Sequence, residues 1–156
     1  MMLFGDDKIR PNQLFSISTT YPVLKPSSEN GKTILKTVTT KLLTKYGLRT
    51  LAKNEDGYIP CYEGDPVKRD KSYHQGTVWV WLLGLYAGAF KNVKDKKKDR
   101  LEKEKLVIEY EKFIKNVYTT FKAEVYNPEG IGTISELYNA QAPYKPGGTF
   151  SQAWSV

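Results

Sequence analysis

Apolar and polar positions along the chain divide it into four helical segments and a fragment of a fifth. The first begins near Arg10, where Pro11 suits a first helical position because its missing N–H costs nothing there. It runs through Gln13, Leu14, Phe15 and Ile17, and Pro22 stops it. The second follows Ser27 or Ser28 as N-cap, with Ile34, Leu35, Val38, Leu42 and Leu43 on one face and Gly47 just past its end. Its many threonines make it weak alone, so tertiary packing must hold it. The third starts at about His74; from Val78 to Phe90 it reads VWVWLLGLYAGAF, apolar on every side, which predicts a helix with neighbours all round. That composition also fits a buried strand pair, but its length favours a helix. The fourth runs from about Asp99 to Lys122, with Leu106, Tyr110, Phe113, Val117 and Phe121 as a stripe and Lys and Glu opposite, an outward-facing amphipathic helix. Phe150 to Val156 reads as the first two turns of a fifth.

The links between segments alternate in length. Tyr21–Pro26 and Lys94–Lys98 are short, whereas Thr44–Tyr73 and Ala123–Thr149 are long. Loops beyond about 12–15 residues are uncommon inside compact domains unless they carry function or are disordered. If segments one, three and five lie inside and two and four outside, consecutive antiparallel helices place both long loops on one face. The prediction is an all-α, α/α toroid whose site lies on the long-loop face. Helix N-termini there would offer free N–H groups and partial positive charge.

The 156 residues suffice for one domain with its own core. Hydrophobic residues at 40% and charged residues at 26% exclude a disordered chain. Cys61 is the single cysteine, which excludes an internal disulfide framework and a cysteine-cluster metal site. No apolar run reaches the ~18 residues of a membrane span, and the N-terminus MMLFGDDKIR has no secretion pattern. The expected location is the cytoplasm. The net charge of +7 raises the question of nucleic acid. From Lys91 to Lys105, however, eight Lys/Arg stand against four Asp/Glu, so +4 sits in one short stretch. A Lys/Glu run of this kind reads as a solvated helix face. No nucleic-acid and no membrane partner is expected.

The long loops concentrate the chemistry. The first carries Arg49, Asp56, Tyr58, Tyr62, Glu63, Asp65, Arg69 and Asp70 and leads to Tyr73, His74, Gln75 and Trp79. The second carries Glu136, Tyr138, Asn139, Gln141 and Tyr144 and leads to Gln152 and Trp154. Rings cover the apolar faces of a pyranose, and carboxylates, amides and arginines take its hydroxyls. The same mixture also serves loop packing, and composition alone favours that use. His74, the lone histidine, cannot build a metal site alone.

Four blocks carry a resemblance: IRPNQLFSIS, LLTKYGLRTL, SYHQGTVWVWLLGLY and GTISELYNAQAPYKPGGTFSQAWSV. In this order they resemble the end of the glucosidase domain of glycogen debranching enzymes, the amylo-α-1,6-glucosidase family. The resemblance covers about Ile9 to Val156. It implies an (α/α)6 barrel of twelve helices, of which residues 1–156 supply the C-terminal portion, a partial toroid of four to five helices. The implied activity is inverting hydrolysis of branch glucose. Glu136, in Thr133-Ile134-Ser135-Glu136-Leu137, matches the motif position of the general base. The general acid belongs to an earlier part of the barrel, so the isolated chain is expected to be inactive. Candidate substrate contacts are His74, Gln75 and Trp79, Arg10, Asn12 and Gln13, and Tyr144; His74 as a structural hydrogen-bonder, and capping or loop-anchoring by Arg10, Asn12 and Gln13, are the alternatives. No metal and no cofactor is implied. The implied partners are glycogen or a branched α-glucan oligosaccharide and the missing upstream barrel portion. Val80 stands where the family usually has proline, Asn139 and Tyr144 where an acidic residue and a histidine are usual, and Thr149 where cysteine is common. A divergent, non-catalytic glucan-binding remnant is the alternative.

Overall fold

Local capping chemistry sets most of the helices. In a computed structural model, residues 7–127 and 131–155 are described. Arg10 is extended, and Pro11 opens a 3-10 turn, Pro11–Leu14, that runs into α1, Phe15–Ser18. The Ser28 hydroxyl accepts from the Gly31 N–H at 3.2 Å and caps α2, Glu29–Lys41. Asp65 caps α3, Pro66–Ser72, by accepting from the Lys68 N–H at 3.0 Å. After α4, Leu82–Asp95, Asp99 caps α5, Arg100–Val125, by accepting from the Glu102 N–H at 2.8 Å.

The all-α expectation needs correction. The structure is mostly helical but holds a four-stranded antiparallel sheet of two-residue strands: β1 Leu48–Arg49, β2 Val78–Trp79, β3 Leu137–Tyr138 and β4 Pro146–Gly147, in that spatial order. Leu48 faces Trp79, Trp79 faces Leu137, and Leu137 faces Gly147. Three strands come from the long loops, so both loops meet at one sheet. The Arg49 guanidinium donates to the Ala140 carbonyl at 3.3 Å, and the Ala140 N–H donates to the Pro60 carbonyl at 2.7 Å.

The third helix therefore starts later than the sequence suggests. Val78 and Trp79 are a strand, and the helix begins at Leu82. The run VWVW alternates β-branched and aromatic residues, which fit a pleated surface, and pairing on both sides decides its state. His74 consequently opens no helix; it lies in the turn between α3 and β2. Gly47 does not close α2, which ends at Lys41. It lies under β2, where a Cβ would meet the Trp79 carbonyl oxygen at 2.3 Å. The fifth segment is a single 3-10 turn, Ala153–Ser155, and Val156 lies outside the described residues.

The core gathers around α4, which packs on α1, α2 and α5. Leu82, Tyr86, Ala89, Phe90 and Val93 of α4 join Leu14, Ile17, Leu35, Val38, Leu48, Trp79 and Leu137 in one cluster. Burying each large apolar side chain contributes roughly 1.5–3 kcal/mol. The stripe of α5 packs as expected, with Leu106, Tyr110 and Phe113 against this cluster and Phe121 in a second one around Val78 and Tyr138. Burial of α4 on every side is not observed: Gly84 is exposed, Leu85 half-buried, and neighbouring Trp81 is 37% exposed.

Candidate active site

Two converging strands and one turn build the site. After α3, residues Tyr73 to Gly76 turn the chain back into β2. Arg10 pins that turn: its guanidinium donates to the carbonyls of His74 (2.9 Å) and Thr50 (3.2 Å) and to Gln75 Oε1 (3.1 Å). Trp79 Nε1 donates to the Tyr73 carbonyl at 2.9 Å. The His74 ring stacks on Trp79 at 5.2 Å between centroids, and Tyr73 and Trp154 meet Trp79 edge-on at 4.7 and 5.7 Å.

Glu136 enters from the other loop, immediately before β3, and is buried. Oε1 accepts from the Tyr73 hydroxyl and from Gln152 Nε2 at 3.3 Å. Oε2 accepts from the Thr149 N–H at 2.9 Å and the Thr149 hydroxyl at 3.4 Å. The Glu136 N–H donates in turn to the Thr149 carbonyl at 3.0 Å. Gly148 closes the cradle: φ is +73°, and a Cβ there would lie 2.4 Å from Oε2, so a side chain would displace the carboxylate. Burial pushes the Glu136 pKa up, but hydrogen bonds from Tyr73, Thr149 and Gln152 outweigh it and hold the group below the ordinary carboxylate value. The carboxylate is ionised at neutral pH.

Beside the aromatic cluster lies a cavity of about 310 Å³, lined by Arg10, Asn12, Thr50, His74, Trp79 and Trp81 among others. That is the small end of the ~300–1,000 Å³ typical of ligand pockets. A larger groove, about 490 Å³, runs between α2, α4 and α5, but lysines, glutamates and apolar side chains of helices line it. The smaller cavity holds the ring-and-amide mixture and is the better candidate.

The structure brings His74, Trp79, Arg10 and Asn12 to one cavity. Gln75 is tied to Arg10, and the Gln13 carbonyl accepts from the Ser16 hydroxyl at 2.7 Å. Tyr144 stands elsewhere, its ring 5.8 Å from that of Tyr46, which stacks on Tyr138. The other loop carboxylates have local tasks: Glu63 accepts from Asn139 Nδ2 at 2.8 Å, and Asp65 caps α3. Asn139 also accepts from the Tyr62 N–H at 2.9 Å and so ties the two loops together.

The sequence model of the amylo-alpha-1,6-glucosidase family matches residues 2–156. The chain belongs to the amylo-alpha-1,6-glucosidase family. Over 93 residues it is 28% identical to the glycogen debranching enzyme of Saccharomyces cerevisiae, a match that takes in 56% of this chain and 6% of that protein. The family is one of glycoside hydrolases. Among the described residues no group of His, Cys, Asp and Glu could hold a metal, and no helix is long and apolar enough to cross a membrane.

Sequence reasoning passed over two partners of Glu136. Tyr73 opens the Tyr-His-Gln-Gly string, but nothing in that string points it at a residue 63 positions away. Thr149 counts as a departure from the family pattern, yet its N–H and hydroxyl both serve the carboxylate. α3 did carry a signal, since Asp65-Pro66 is an N-cap followed by a first-turn proline.

Proposed function

We propose that residues 1–156 form the C-terminal portion of an (α/α)6 glucosidase domain that hydrolyses the α-1,6-linked branch glucose of glycogen with inversion, and that Glu136 is its general base. One observation carries the reading. Glu136, in a string that resembles the family's base motif, is a buried carboxylate held ionised by hydrogen bonds beside a cluster of rings. In the proposed step Glu136 takes one proton of a water while the water oxygen bonds to the anomeric carbon. The glycosidic C–O bond breaks, and a carboxylic acid about 6.5–9.5 Å away protonates the departing oxygen. The long contacts at 3.3 Å to Gln152 and 3.4 Å to the Thr149 hydroxyl are the ones a water can replace. His74 would offer a ring face to the sugar and Asn12 an amide, with Trp79 buried behind the His74 ring and Arg10 holding the His74 turn. The local tasks of Glu63 and Asp65 favour an acid supplied by an upstream barrel portion.

A second reading is favoured by the depth of Glu136, which is 3% exposed and already accepts from Tyr73, Thr149 and Gln152. It makes the chain a glucan-binding remnant without catalysis. Glucose release from branched α-1,6 oligosaccharides separates the two. In the full-length protein Glu136→Gln should cut turnover by about 10²-fold or more, with little change in sugar affinity. Near-normal turnover in a folded mutant would sink the catalytic reading.

A further inference from the structure

We infer that Tyr73 is a positioning residue for Glu136: its phenol O–H fixes one edge of the carboxylate and keeps it in the ionised form that can accept a proton from water. This rests on the reading of Glu136 as general base. Among its contacts with Tyr73, Thr149 and Gln152, each carboxylate oxygen has a closer donor and a longer one. Tyr73 O–H serves Oε1 and the Thr149 N–H serves Oε2, so the two firm donors set the carboxylate plane from opposite edges. The long contacts leave room for water; the firm ones hold the group while water binds.

Tyr73 is itself held by three rings and by hydrogen bonds to its carbonyl. Its ring meets Tyr62 at 5.7 Å, His74 at 4.8 Å and Trp79 at 4.7 Å. Its carbonyl accepts from Trp79 Nε1 at 2.9 Å and from the Thr77 hydroxyl at 2.8 Å. Three aromatic neighbours and a backbone anchored at its carbonyl hold the Tyr73 ring with its phenol O–H on Oε1. Burial raises the Tyr73 pKa, and the Glu136 carboxylate raises it further, so the phenol keeps its proton and stays a donor. Among the described residues, Tyr62 and His74 pack against the Tyr73 ring, and the Arg69 guanidinium lies over the Tyr62 ring at 5.9 Å. A hydrogen bond to an ionised acceptor is roughly twice as strong as a neutral one, so its loss should be visible in the titration of Glu136.

The test is kcat/KM against pH on a branched α-1,6 oligosaccharide, with the full-length protein. The acidic limb reports the base of the free enzyme. In Tyr73→Phe that limb should move up by about one pH unit, with kcat reduced and KM nearly unchanged. Fluorotyrosine at position 73, a stronger donor of nearly the same size, should move the limb down, and it covers the case in which Tyr73→Phe fails to fold. A limb that stays in place in both variants overturns the role of Tyr73. Glu136→Gln, assayed alongside, separates the two ideas. If it retains turnover, the base assignment fails. If it is inactive while the limb is unmoved in the Tyr73 variants, only the positioning role fails.

Discussion

Burial pushes the Glu136 pKa up, and hydrogen bonds from Tyr73, Thr149 and Gln152 reverse that shift. The consequence for stability has a definite sign. The folded pKa lies below the ordinary value of 4.5, so near that pH the unfolded chain binds more protons than the folded one. The contribution of Glu136 is complete above that value and is lost as pH falls through the folded pKa. Urea midpoints measured from neutral pH down to about pH 3 should therefore fall on acidification, and Glu136→Gln should flatten that acid limb. The mutant should also be less stable at neutral pH, because an amide nitrogen meets donors where an oxygen accepted; an unsatisfied buried group costs about 1–3 kcal/mol. An acid limb identical in both proteins would contradict the ionised, hydrogen-bonded state described for Glu136.

At the scale of elements, capping and periodicity account for α2 and α5, whereas pairing accounts for β2. The first six residues of α5, from Arg100 to Lys105, are exposed, so that end depends on its cap more than on packing. Asp99→Ala should lower stability by up to about 1 kcal/mol, and Asp99→Ser should recover most of it. Urea unfolding followed by circular dichroism reads both, and equal stability of all three proteins would remove the cap from the account. α5 was legible because its stripe repeats over many turns. The sheet was not, because a two-residue strand has no period to read. The pairing of Val78 with Arg49 and Tyr138 joins residues 29 and 60 positions away along the chain.

Across the whole molecule the apolar surface is incompletely covered. Tyr21 and Val23 are 90% and 87% exposed beside Phe15, and Phe150 and Trp154 are exposed near the candidate site. Large exposed patches are unusual in monomers. The isolated 156-residue chain is expected to self-associate or fold marginally, with sedimentation that depends on concentration, and Tyr21→Ser with Val23→Ser should weaken the association. A monodisperse monomer with one sharp thermal transition would count against this.

The helices α2 and α5, the start of the first segment near Arg10 and the long second link follow from the sequence by itself, whereas the first link also holds α3 and β1. Caps, 3.6-residue stripes and a contiguous motif are local and survive without coordinates. The start of α4, the sheet and the surroundings of Glu136 were decided by tertiary structure. VWVW satisfies helix and strand alike until β1 and β3 arrive on either side. The donors of Glu136 come from positions 73, 149 and 152, and the turn that carries Tyr73 is pinned by Arg10. Hydrogen bonds between residues so far apart leave no spacing in the chain, so only the folded arrangement specifies them.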